Sequence, residues 1–255
     1  MKTEIADKAG FCFGVARAVK IAQRAAEGKD KTVTYGMLIH NRDVTEELKN
    51  LGVGTVESVD EIKSGVNVII RAHGISADEE AEINNRGAKI IDATCPFVKK
   101  IHTIAAAAAA NGAEVIIVGD PNHPEVKGIY GRCLGRGHII NSIEEAEQIK
   151  LDILSDNVVI VAQTTLRKDF FKKIEKILKK HFTNAKIFDT ICSATDERQK
   201  AAAELASRAD CMIVIGAAES SNTKKLYELC SEHCENTVAV ENDKKIYKTG
   251  EVPRI

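Results

Sequence analysis

A cysteine recurs at fixed distances ahead of one repeated pattern, and no other feature constrains the fold as much. Residues 88–95 read AKIIDATC and residues 185–192 read AKIFDTIC. After each cysteine comes a helix-like stretch and then an apolar strand closing on glycine, EVIIVG to Gly119 and CMIVIG to Gly216. The offsets agree, 119 − 95 = 24 and 216 − 192 = 24, and the same step from Cys12 reaches Gly36 at the end of TVTYG. A step of 28 from each cysteine lands at His40, His123 and Ser220, and a step of 30 at Arg42, Glu125 and Asn222. Repetition at so long a period implies stacked or symmetric units.

The strands NVIIRAHG and NVVIVAQTT are continuous apolar runs, as in parallel sheets covered by helices on both faces. The fold class is therefore α/β: three pseudo-symmetric small modules with mainly parallel sheets, spanning 13–95, 96–192 and 193–255, the last joined by a strand at 1–12. Polar loops at the carboxyl ends of the strands are where such sheets hold ligands. The cysteines are spaced 95 − 12 = 83 and 192 − 95 = 97, so a full third copy would end near 192 + 83 = 275 to 192 + 97 = 289, whereas the chain has 255 residues. The third module is expected to lack its second strand and loop, and the polar tail ENDKKIYKTGEVPRI to hold no strand. The segment GDPNHPEVKG, bracketed by prolines, reads as a stiff polar loop without regular helix, in which positions 123 and 125 face the same way.

With 44% hydrophobic and 29% charged residues, the chain can bury a core. A net charge of −1 gives no field favouring nucleic acid. No apolar run reaches the ~18 residues of a membrane span, and no signal peptide is apparent. A cytoplasmic protein is expected. Seven cysteines, an odd number, argue against a disulfide framework. Cys12, Cys95 and Cys192 occupy equivalent places and converge if the modules surround a threefold axis. Three thiolates at one point suit a zinc ion with a fourth ligand or an iron–sulfur cluster with one iron left open, and spacing does not choose between them. Cys133, Cys211, Cys230 and Cys234 read as ordinary thiols.

His40, His73, His123, Thr164, Ser220, Ser221 and Asn222 all fall in loops after strands. This donor-rich set suits a phosphate-like anion, aided by backbone N–H groups where SSNTKKLYEL opens a helix. Each residue alone reads equally well as turn or cap chemistry; their shared register argues for a common site. Glu125 is the expected proton handler, with His123 gripping the anion beside it.

At this point AGFCFGVARAV, GMLIHN, RAHG, DATCPFVKK, GDPNHPEVKG, QTTL, TICSATDERQ and SSNTKKLYEL, in this order, resemble the 4-hydroxy-3-methylbut-2-enyl diphosphate reductase family. The resemblance implies a trefoil of three modules around one [4Fe–4S] cluster per chain, held by Cys12, Cys95 and Cys192. It implies reductive removal of the allylic hydroxyl, giving isopentenyl and dimethylallyl diphosphates in isoprenoid biosynthesis by the methylerythritol phosphate route. It assigns the diphosphate to His40, His73, His123, Ser220, Ser221 and Asn222, proton donation to Glu125, and a place at the substrate hydroxyl to Thr164. Ferredoxin or flavodoxin is the implied electron donor. Two departures stand out: GAAESSN, with Ala217, Ala218 and Glu219, replaces a Gly-Gly-Lys version, and the family's Ala-Gly-Ala-Ser-Thr loop has no match. A shortened, non-catalytic remnant and a zinc protein using the same cysteines are the alternative readings.

Overall fold

The computed structural model describes residues 2–149, 153, 155–242 and 245–247. In chain order the helices are α1 (Phe13–Ala26), α2 (Arg42–Asn50), α3 (Ala77–Asn85), α4 (Pro96–Ala110), α5 (Pro124–Tyr130), α6 (Ile143–Gln148), α7 (Lys168–His181), α8 (Ser193–Ala206) and α9 (Ser221–Ser231). The strands are β1 (Thr32–Tyr35), β2 (Gly54–Val56), β3 (Asn67–Ile70), β4 (Lys89–Asp92), β5 (Glu114–Val118), β6 (Gly137–Ile140), β7 (Val158–Ala162), β8 (Lys186–Ile187), β9 (Met212–Ile215), β10 (Thr237–Asn242) and β11 (Lys245–Tyr247).

These strands form three sheets, ordered β2-β1-β3-β4, β6-β5-β7-β8 and β11-β10-β9. The first two are wholly parallel and share one topology. Their central strands are buried throughout, β1 and β3 as BBBB and β7 as BBBBB. Helices therefore cover both faces, which accounts for the unbroken apolar runs. α7 shows how a covering helix forms: Phe171, Ile174 and Leu178 recur on one face and are buried, while its lysines stay outside. Arg132 ties the second sheet's unit to the first, donating to Ile75 O at 3.1 Å and Glu80 at 2.6 Å. Arg167 pairs with Glu232, and Arg42 with Glu219 and Glu241, bracing the third against the other two.

The structure corrects four expectations. Residues 2–12 contain no strand. Their charged residues leave only Ile5 and Phe11 as large apolar groups, both exposed, so a strand there would have no face to bury; Arg208–Glu4 and arginine–carbonyl contacts hold the segment instead. The tail does contribute a strand, since β11 runs antiparallel to β10; residues 248–255 lie outside those described. The short side strands β2 and β6, of three and four residues, have no long apolar run to announce them. They matter because β10, paired parallel to β9, is their counterpart in the third sheet. The strand missing there, among the described residues, is the equivalent of β3 and β7, as the repeat arithmetic required. Finally, the proline-rich segment does enter a helix. Pro124 occupies the first position of α5, where its absent N–H is no loss and its fixed φ suits the turn.

The open side of β9 leaves Ile213 and Ile215 57% and 72% exposed, in contrast with Ile117 of β5 at 0%. Ile215→Lys is expected to leave folding stability within about 0.5 kcal/mol, and Ile117→Ala to lower it by about 2–5 kcal/mol. Urea unfolding of the two variants checks the contrast.

Candidate active site between three sheets

Register explains how distant residues meet. Tyr35 is paired with Ile70, and Val118 with Ala162, so neighbouring strands end at one level and release their loops side by side. From β1 and β3 come His40 and His73; from β5 and β7 come His123, Glu125 and Thr164; from β9 comes the Ser220–Asn222 stretch. The rings of His40 and His73 lie 4.8 Å apart, His73 and His123 5.1 Å, and His40 and His123 6.1 Å, centroid to centroid.

The three imidazoles form a donor set. His123 caps α5, and its Nδ1 accepts the Glu125 N–H at 3.2 Å. That bond uses the Nδ1 lone pair, so in the neutral ring the proton sits on Nε2 and the ring offers a donor. Both ring nitrogens of His40, Nδ1 of His73 and Oδ1 of Asn222 are buried without a partner. Buried polar atoms of this kind demand a ligand or water. Burial keeps all three rings neutral: it lowers His40, takes His73 well below the ordinary histidine range, and lowers His123 to about 4. The rings depress one another, and Arg71 depresses all three. An arriving anion reverses these pressures and favours protonation.

Glu125 is 1% exposed. Its two oxygens accept from the Thr164 N–H at 2.6 Å and the Thr164 hydroxyl at 2.7 Å. Burial lifts its pKa to about 7, against the lowering effect of both Thr164 bonds. Near neutrality it exchanges a proton, and Thr164 Oγ1 is the atom through which that proton passes. Gln163, 2% exposed, accepts from the Asp120 N–H at 3.0 Å and donates to Thr165 at 3.0 Å and Ser221 at 3.3 Å. It joins the loops after β5, β7 and β9. Sequence reasoning placed Gln163 in a motif and gave it no role; its position one residue before Thr164 was the available signal. Ser220 caps α9 through the Thr223 N–H, and Ser221 accepts from Thr165 at 3.0 Å. Glu219, the departure in the third loop, is held by Arg42 at 3.2 Å and works to raise His40. A cleft of about 540 Å³ reaches His123, Gln163 and Ser221 from outside, past Lys224 and Arg167.

The cysteines lie beneath. Cys12, Cys95 and Cys192 are each the residue capping a helix amino terminus, of α1, α4 and α8, without a side-chain cap bond. All three are half-buried free thiols. Burial raises Cys95, the N–H groups of Phe97 and Val98 oppose that, and both Cys12 and Cys192 add to the rise. The three sulfurs therefore share one electrostatic neighbourhood. Gly14 keeps it open: a Cβ there would stand 2.5 Å from Cys95 Sγ and 4.0 Å from Cys12 Sγ. Two cysteines hang from the substrate-side loops, Cys95 N–H on Ala72 O and Cys192 N–H on Thr164 O, both at 3.0 Å. Cys133, Cys230 and Cys234 are buried elsewhere and Cys211 is exposed.

A family profile described as LytB protein matches residues 3–252. The chain belongs to the LytB family. A relative from Campylobacter hominis named 4-hydroxy-3-methylbut-2-enyl diphosphate reductase is 41% identical over 97% of this chain and 88% of its own length. One of the same name from Thermoanaerobacter sp. is 41% identical over 96% and 86%. The solved structure described as (E)-4-hydroxy-3-methyl-but-2-enyl diphosphate reductase, the terminal enzyme of the non-mevalonate pathway, superposes with TM-score 0.72 at 39% identity, covering 95% of this chain and 86% of that one. The Plasmodium falciparum reductase structure superposes with TM-score 0.86 at 29% identity, covering 92% and 76%. This LytB chain is thus an α/β protein of the reductase family, shorter than these relatives. Among its described residues no helix is long and apolar enough to cross a membrane.

The Glu125 shift has a stability consequence. Its folded pKa, about 7, lies above the 4.5 of an ordinary glutamate, so folding favours the protonated form. That contribution is fully present below pH 4.5 and lost as pH rises to about 7. Glu125→Gln removes the dependence, so its stability relative to wild type should improve by roughly 3 kcal/mol between those pH values. The histidines, shifted downward, destabilise in the acid direction and do so in both proteins. Denaturant midpoints of both across that range test this; parallel curves would refute it.

Proposed function

We propose that this chain reductively removes the hydroxyl of 4-hydroxy-3-methylbut-2-enyl diphosphate, yielding isopentenyl and dimethylallyl diphosphates in the cytoplasm. The observation that carries the reading is the Glu125–Thr164 pair, a buried proton donor beside three orphaned imidazoles and one backbone bond from Cys192. The modules are taken as 13–95, 96–192 and 193–255.

Cys12, Cys95 and Cys192 would hold one [4Fe–4S] cluster. The fit rests on three free thiols at helix amino termini, which favour thiolates, and on the Cβ-sized space at Gly14. The tight single-ion group among the described residues is the histidine trio rather than the cysteines, which disfavours a zinc ion closed by the same thiols and a fourth protein ligand. When bound, such a cluster supplies electrons and a Lewis-acidic iron without a protein ligand.

The chain's own groups do the rest. His40, His73 and His123 donate to the diphosphate, joined by Ser220, Ser221 and Asn222 at the start of α9. Fixing the diphosphate fixes the allylic hydroxyl near Thr164, a proximity effect. Glu125 passes its proton through Thr164 Oγ1 to the departing oxygen. The balance is R–OH + 2 e⁻ + 2 H⁺ → R–H + H₂O: one carbon–oxygen bond breaks, one carbon–hydrogen bond forms, and an external ferredoxin or flavodoxin provides the electrons.

The test is anaerobic. After reconstitution with iron and sulfide, reduced viologen dye should be oxidised when the diphosphate substrate is added, with a rate falling as pH rises through about 7. Cys95→Ser should lose the bound iron. Glu125→Gln should keep iron and substrate binding while turnover falls about 10²-fold or more. A loaded wild-type protein that leaves the dye reduced would sink the reading in favour of a non-catalytic remnant.

A further inference from the structure

We infer that the outer face around the three cysteines is the docking surface for a small acidic one-electron carrier protein. The inference rests on the redox reading above. Exposed aromatic residues gather along the chain at each cysteine. Phe11 and Phe13 flank Cys12, Phe97 follows Cys95 by two residues, and Phe188 precedes Cys192 by four. They are 54%, 67%, 40% and 38% exposed. Because the cysteines share one neighbourhood, elements of all three sheets' units bring their phenylalanines to its rim. Contiguous exposed apolar surface with a polar border marks an interaction site.

Charge selects the partner. Nearly every carboxylate near the cysteines already has a lysine: Asp92 with Lys99 at 2.6 Å, Asp189 with Lys168 at 3.5 Å, Asp196 with Lys200 at 2.8 Å and Glu197 with Lys8 at 3.9 Å. Asp7 is the one without a partner among the described residues. Four cations there have no acid. Arg17 donates to Thr94 O at 3.1 Å, and Arg198 to Lys8 O and Gly10 O at 3.0 and 2.9 Å, so both spend their donors on neutral carbonyls and keep their charge. Lys20 and Lys100 are exposed, and neither has an ion-pair partner among the described residues. The face carries an uncompensated 4 − 1 = +3 on a chain whose net charge is −1. A positive, aromatic, shallow face over half-buried thiols suits a transient acidic carrier, for which a small interface and electrostatic steering suffice. The cleft to the substrate pocket opens elsewhere, past Lys224, so carrier and substrate approach from different sides.

The experiment titrates the whole chain with an acidic [2Fe–2S] ferredoxin by calorimetry, at about 0.05 M and about 0.3 M salt. Wild type should bind, more weakly at the higher salt. Lys20→Glu/Lys100→Glu should weaken binding about tenfold or more, Phe97→Ser should weaken it several-fold, and Lys172→Glu/Lys176→Glu on α7 should leave it unchanged. In reconstituted protein the first pair should lose ferredoxin-driven turnover and keep dye-driven turnover. Absence of wild-type binding, equal weakening by the α7 pair, or an unaffected Lys20/Lys100 variant would overturn the inference. Failure of dye-driven turnover in loaded wild type would instead remove the reductase reading, and the titration still decides the docking face.

Discussion

Two backbone hydrogen bonds hold the site together. The N–H of Cys95 reaches Ala72 O and that of Cys192 reaches Thr164 O. Each acceptor lies two residues past the end of its strand, β3 or β7, so the bonds are equivalent in the two complete sheets. Through them the cysteine layer and the histidine–glutamate layer cannot shift independently. Cys12 has no such bond among the described residues, because the strand that would bring its acceptor has no counterpart beside β9. Its loop relies on Arg198, which grips two carbonyls just ahead of it. A side chain from α8 thus does what a loop does elsewhere.

Much of this was legible in the sequence, because the repeat fixes offsets and offsets fix level. Once Cys12, Cys95 and Cys192 were aligned, His40 and His123 fell at the same step, and parallel register carried them to one end of their sheets. His73 and Thr164 followed from the same rule applied to the inner strands. The misreadings have local causes. β2 and β6 are too short to show a periodicity, so the third sheet's β10 was not seen as their partner. The prolines of GDPNHPEVKG looked like helix breakers, yet Pro124 opens α5 and makes His123 its cap. Gln163 was passed over because its importance is purely spatial: it spans three loops that are far apart in the chain.

The histidine trio and Glu125 are perturbed in opposite senses by one cause. Burial penalises charge, which lowers the imidazoles and raises the carboxyl. His123 at about 4 and Glu125 at about 7 make an empty pocket nearly neutral at physiological pH. Neutral donors suit reversible capture, since no buried charge is left stranded when the ligand departs. The Arg71 charge stays at the margin, over the Tyr35 ring at 5.8 Å, and biases the pocket toward anions without occupying it.

That neutrality amounts to a proton inventory. With the pocket empty the imidazoles carry none beyond their neutral complement, and Glu125 carries about half of one. A polyanion entering would draw protons from water onto the imidazoles and relax the pressure that keeps Glu125 protonated only in part. The pocket therefore fills with acid equivalents at the moment it fills with ligand, and empties of both together. For a reaction that consumes protons as well as electrons, the supply of one reactant is then metered by the arrival of another.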